Sequence, residues 1–247
     1  MKPSFSRALK ITAVSSLALG TLFTAVVGFA HTPPGRPLLA VMGRWMGSSM
    51  TAKAGGKCPL GYDVKASPAE KEATRRQFAA VHAGTERAHA RPALGFELDK
   101  TTRAEITNWA TTHDVKCVVP KAGSDLDCSD VPAEALPSGE PGMGFHSLWF
   151  TFGAGDALTS AIGVRRDARV EEISSTFKRV TDEVSKAAGP PTLVQGDPSP
   201  ATLSSGALYQ ASAEYRFRDY FVITRATNMG RAQGFVITEE YRSLPDS

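Results

Sequence analysis

The usual signatures of catalysis are missing from this sequence. No Gly-x-Ser-x-Gly elbow is present to expose a nucleophile at a strand end. Gly142-Met143-Gly144 and Gly153-Ala154-Gly155-Asp156 lack the strand–loop–helix order and the Lys-Ser/Thr ending of a phosphate cradle, so they read as turns. The five histidines, His31, His82, His89, His113 and His146, never stand three or four apart, the spacing that aims two ring nitrogens at one zinc ion. His82 and His89 share a helical face only loosely, and His113 falls in an apolar stripe, where a packing role is expected. No metal and no cofactor is expected.

Charge of one sign is scarce as well. The formal net charge is +3 over 247 residues, from 28 Lys and Arg against 25 Asp and Glu. The first ten residues hold Lys2, Arg7 and Lys10 and no acid, so the chain beyond them is neutral. A neutral domain lacks the basic footprint that nucleic acid requires, and no nucleic-acid partner is expected. Strong attraction to anionic lipid heads is not expected either. Charged residues at 21% and apolar residues at 42% are ordinary for a globular protein.

What is present begins with one long apolar run, Ile11 to Ala30, without a single charge. As a helix it spans roughly 30 Å, the thickness of bilayer hydrocarbon. The basic residues before it favour a cytoplasmic N-terminus, with the rest of the chain on the far side. Gly28 and Ala30 offer a small-x-small cleavage site, while the length of the run suits a retained anchor. Both readings stay open: a single-pass membrane protein with an extracytoplasmic C-terminal domain, or a secreted one cut after Ala30. Cys58 lies too far beyond the run for a lipoprotein.

Residues 31–66 read as a linker, rich in Pro, Gly, Ser and Ala, with an apolar patch from Leu38 to Met46 that includes Trp45. Residues 67–247 are expected to form an extracytoplasmic α+β domain, with two subdomains as an option. Ser67-Pro68-Ala69-Glu70 is a capping box with proline at the first helical position, opening a helix to roughly His89. Gly84 is a candidate interruption. Thr102-Arg103-Ala104-Glu105 is a second capping box, followed by Ile106, Trp109, Ala110 and His113 at helical spacing. The strongest amphipathic pattern runs from about Asp167 to Ala188, with Val170, Ile173, Phe177, Val180 and Val184 in one stripe and Gly189-Pro190-Pro191 as the stop. Strands are expected on either side of the Gly153–Asp156 turn, where Phe150 and Phe152 alternate with Thr151. Two more close the chain, the first of them, Ala207 to Asn228, bent or split. Together these predict an α+β two-layer sandwich of antiparallel hairpins and amphipathic helices, preceded by the N-terminal hydrophobic helix. No fixed-period repeat is visible.

The phrase Leu94-Gly95-Phe96-Glu97-Leu98-Asp99-Lys100-Thr101-Thr102-Arg103-Ala104-Glu105-Ile106, followed by a helix and paired strands, resembles the entry of small envelope domains of the SmpA/BamE type over residues 94–152. That resemblance implies an α+β module that holds other envelope proteins and does not catalyse.

Three cysteines remain to be placed. Cys117 and Cys128 sit on opposite arms of a proposed hairpin with its turn near Ala122 and Gly123, which brings them into register for a disulfide. An oxidising compartment preserves such a bond. Cys58 is then the odd one, either an unpaired or partly buried cysteine or a reactive thiol, exchange site or intermolecular bridge. Only Lys57 beside it hints at a depressed pKa. Glu239, Glu240 and Asp219 fall on strands or strand ends, where paired carboxylates for acid–base work and a solvated strand face look alike. The expected function is a non-catalytic interaction or structural module of a bacterial-type envelope, with the membrane and another envelope protein as partners. A thiol enzyme pairing Cys58 with His82 or His89, and a small-ligand binder, are the rivals.

Overall fold

The computed structural model describes residues 67–119, 125–139 and 142–245. The hydrophobic run from Ile11 to Ala30, the linker and Cys58 lie outside the described residues. Among those described, no helix is long and apolar enough to cross a membrane.

The fold is α+β, built on one eight-stranded antiparallel sheet. Its strands are β3 (Lys116–Val118), β4 (Leu126–Val131), β5 (Phe145–Phe152), β6 (Leu158–Ala168), β7 (Leu193–Gln195), β8 (Gln210–Arg216), β9 (Tyr220–Asn228) and β10 (Phe235–Ser243). A separate two-stranded hairpin, β1 (Pro92–Ala93) and β2 (Phe96–Glu97), precedes them. The spatial order in the sheet is β3-β4-β5-β6-β10-β9-β8-β7. It is a palindrome of two four-strand meanders whose last strands, β6 and β10, pair at the centre. Helix α2 (Arg103–Thr112) leads into the first meander and helix α3 (Val170–Ala188) into the second. Each half is therefore a helix followed by four strands, the second half with a further single-turn helix at Pro200–Leu203 between β7 and β8. This repeat of topology leaves no fixed-period trace in the sequence.

The two faces of the sheet separate cleanly by register. Ala161, Gly163 and Arg165 on β6 stand opposite Tyr241, Glu239 and Ile237 on β10, so all six share one face. Leu148 and Phe150 on β5 continue it. Both α2 and α3 lie here. Trp109 of α2 meets Phe150 edge-on, and Ile173, Phe177, Val180 and Val184 of α3 join the same core as Val222, Ile237 and Tyr241. The stripe read from the sequence is the buried face of α3. Burying each such side chain contributes roughly 1.5–3 kcal/mol.

The β1–β2 hairpin fills the core beside the two helices. Phe96 packs edge-on against both Trp109 and Phe150. Its turn places Leu94 (φ 60°) and Gly95 (φ 87°) in the left-handed region, the combination that matches strand twist in a two-residue hairpin. A side chain at Gly95 would strike the backbone of Ser138. Leucine in that conformation is strained, and burial of its side chain offsets the strain. The Tyr220 hydroxyl ties the hairpin to β9 by donating to the Pro92 carbonyl.

Helix α1 (Pro68–His82) begins with the expected capping box but ends short of His89. Gly84 donates its N–H to the Phe217 carbonyl and has the Arg216 carbonyl where a side chain would be, so the chain leaves the helix to dock on the end of β8. α1 lies on the sheet's other face, with Phe78 edge-on to Phe221 and Ala79 in the same small cluster as Ile223 and Leu244. Its first turn reaches β4 through Lys71 and Asp125, and its last residue reaches β8 through His82 and Glu214. It thus crosses one end of the strands. The segment from Ala207 to Asn228 is split, β8 and β9 being joined by a tight turn at Phe217–Asp219.

Candidate functional site

Cys117 and Cys128 are directly opposed in the β3–β4 ladder, and they are bonded. Their Cα atoms are 4.0 Å apart. Cys128 is fully buried beneath α2, and Cys117 is half-buried on the outermost strand. The bond therefore fastens the edge of the sheet to its interior, and these two sulfurs are not nucleophiles.

The histidines are spread out. His82 stacks on Phe78 at 4.3 Å between ring centres and sits 3.8 Å from Glu214. His89 lies 3.5 Å from the Ala188 carbonyl, His113 is 2.9 Å from the Trp109 carbonyl, and His146 is 3.7 Å from Asp130. No group of three metal-ligating side chains occurs among the described residues. The carboxylates are likewise dispersed. Asp219 accepts the Ala88 N–H, Glu240 holds Arg242 on one face, and Glu239 points to the other face.

Glu239 belongs to a buried group at the central seam. Its carboxylate accepts from Arg165 Nε at 2.7 Å and from the Tyr241 hydroxyl at 2.7 Å. The Arg165 guanidinium also donates to the Met143 carbonyl and lies 3.7 Å from the centre of the Phe145 ring. Both charged side chains are essentially sealed from water. Gly163 makes room for this arrangement, because a Cβ there would collide with Phe145. Such a pair is costly to desolvate and fixes register; removal of one partner strands the other charge. Tyr215 and Tyr220 are also held neutral, burial pushing both phenols above their ordinary value.

Two shallow depressions mark the surface. One, of about 390 Å³, lies between the loop at Ser204–Ala207 and the β9–β10 turn, with Arg231 and Phe235 at its rim. The other, of about 370 Å³, lies where β4, β5 and β6 end, beside His146 and Arg166. Both are open, unlike the enclosed apolar pockets that bury a small ligand.

The larger feature is the sheet face opposite α2. Register places Val118, Asp127, Trp149, Ile162 and Glu240 in one row across five strands. The next row is Lys116, Ser129, Ser147, Val164, Thr238 and Arg225. Arg166 follows beyond Val164. Trp149 is 38% exposed on a strand whose other side is fully buried, and Val118 is 63% exposed on the edge strand, where Cys117 on the other side is half-buried. Sequence reasoning passed over Trp149. The available signal was its parity: it falls among Ser147 and Thr151, the polar set of an otherwise alternating strand.

No family model, no curated protein and no solved structure matches this chain.

Proposed function

We propose that this chain is an exported, membrane-anchored envelope protein whose folded domain is a non-catalytic protein-interaction module. The apolar run at Ile11–Ala30 and its basic flank support export and anchoring. The Cys117–Cys128 bond suits an oxidising compartment. The observation that carries the interaction reading is Trp149, left 38% exposed beside the half-buried Ile162 on a rigid sheet face, because tryptophan is enriched where proteins bind one another. The resemblance of residues 94–152 to envelope scaffolding domains points the same way.

Three measurements test this. A periplasm-dependent reporter fused after residue 60 is expected to be active, and an inactive fusion alongside a working cytoplasmic control removes export. A photo-crosslinking amino acid introduced across the folded domain in living cells is expected to yield discrete protein adducts. Their absence at every surface position removes the interaction reading. Cys58→Ser is expected to leave the deletion phenotype fully complemented; loss of function together with rapid low-pH alkylation makes the protein a thiol enzyme instead.

A further inference from the structure

The open sheet face is bounded on one side by α1, and its dimensions and charge describe what fits beside that helix. Along β6, Ile162, Val164 and Arg166 point to this face. At two residues per repeat they cover about 13 Å, slightly more than the 10–12 Å diameter of a helix. From Lys116 on β3 to Arg225 on β9 the floor crosses five strand spacings, about 24 Å, the length of roughly 16 helical residues. α1, with 15 residues, already spans a comparable set of strands on the same face. The floor is a second helix-sized lane parallel to it.

The lane has an apolar centre and a basic margin. Trp149 and Ile162 supply that centre, and Val118 adds apolar surface at the β3 edge beyond Asp127. Lys116, Arg166 and Arg225 form no ion pair among the described residues; against these three bases stand two acids, the unpaired Asp127 and Asp130, which lines the same depression as Arg166 and faces only His146. Glu240 is already engaged by Arg242. The unmatched charge is therefore positive. The chain's own earlier residues do not complement it: before Asp63 they include Arg36, Arg44, Lys53 and Lys57 and no acidic residue.

We propose that this lane receives an amphipathic helix of another protein, apolar on the side facing Trp149 and acidic on its flanks. The proposal rests on the reading of the domain as an interaction module and names the chemistry of its partner. An extended strand would add to a sheet edge instead, and a second copy of this face would bring basic margins together and meet α1 as an obstacle.

The probe is a labelled 16-residue peptide helix with leucines on one face and glutamates on its flanks, paired with a version carrying lysines in their place. Each is titrated against the full chain in nanodiscs of zwitterionic lipid, with empty discs subtracted. The acidic peptide is expected to bind at least tenfold more tightly than the basic one and to weaken with added salt. Trp149→Glu, and separately Lys116→Glu with Arg166→Glu, are each expected to cost tenfold or more while the melting temperature stays unchanged. Equal binding of the two peptides, no binding up to millimolar concentration, or insensitivity to either variant overturns the proposal. Photo-crosslinks in cells from position 149 discriminate further. A heterologous adduct through an acidic helix supports the proposal, and a self-adduct or a link to residues 31–66 refutes it. Adducts found only from other surfaces refute it too, while leaving the interaction reading standing.

Discussion

The two halves of the sheet share a plan and differ in how they are covered. In the second half, Tyr220, Phe221, Val222, Ile223 and Thr224 are buried one after another, because α3 covers one face of β9 and α1 the other. In the first half, β5 alternates. Leu148, Phe150 and Phe152 are buried under α2 and the β1–β2 hairpin, while Trp149 stays in solvent. The second half ends in the three-residue strand β7 with no crosslink, and the first ends in the three-residue strand β3 with one. A helix and four strands can thus be stabilised by packing on both sides, or by packing on one side and a covalent staple. The second solution leaves one face of β5 without a helix over it among the described residues.

The largest effects are expected where the halves meet and where packing is two-sided. Glu239→Ala strands Arg165 in the seam and is expected to lower unfolding free energy by roughly 3–5 kcal/mol, read from urea midpoints. Phe177→Ala in the second half is expected to cost about 3–5 kcal/mol. A loss below about 0.5 kcal/mol would place that face of α3 in solvent and dissolve the contrast. Next comes the staple. Cys117→Ser with Cys128→Ser is expected to cost roughly 2–3 kcal/mol. Hydrogen exchange then sharpens the comparison: amides of β3 and β4 should lose protection before those of β8, β9 and β10. Uniform loss across both halves would show that the staple serves the whole sheet equally.

A smaller effect concerns pH. Burial raises the Tyr220 phenol well above its ordinary value of 10.0, so the folded state keeps a proton that the unfolded chain releases. The associated stability is complete below about pH 10 and is lost as pH rises from there towards the folded value. Tyr220→Phe is expected to cost about 1 kcal/mol near neutrality, through the lost bond to Pro92, and to make the decline above pH 10 shallower. An unchanged alkaline slope would mean that other groups set it. The smallest effect belongs to the bare face, where Trp149→Glu is expected to change stability by less than about 0.5 kcal/mol.

Local features of this fold were legible in the sequence and distant pairings were not. Ser67 and Thr102 announced helix starts because capping is a contact over three residues. Cys117 and Cys128 could be matched across a short hairpin for the same reason. The helix was expected to reach His89 with Gly84 as a candidate interruption; it ends at His82, just before Gly84, because Gly84 is drawn away by Phe217, far along the chain. Glu239 read equally as an acid–base carboxylate or as a charge on a solvated strand face, and Arg165 drew no reading at all. Only the pairing of β6 with β10 reveals that their side of the sheet is the inside. The bare lane was illegible for a related reason: which face a helix covers is not written in the strand's alternation.

The central seam also bears on the order in which the molecule assembles. Every other pairing in the sheet joins strands that follow one another in the chain, so each meander can zip up through contacts close in sequence. β6 and β10 are the exception, separated by α3 and the strands β7, β8 and β9. Closing so long a loop is entropically costly and slow, and the reward comes only when both meanders exist. The union of the halves is therefore expected to be the late step of folding. Substitutions at Arg165 or Glu239 should then speed unfolding far more than they slow folding, leaving the refolding limb of the chevron nearly in place.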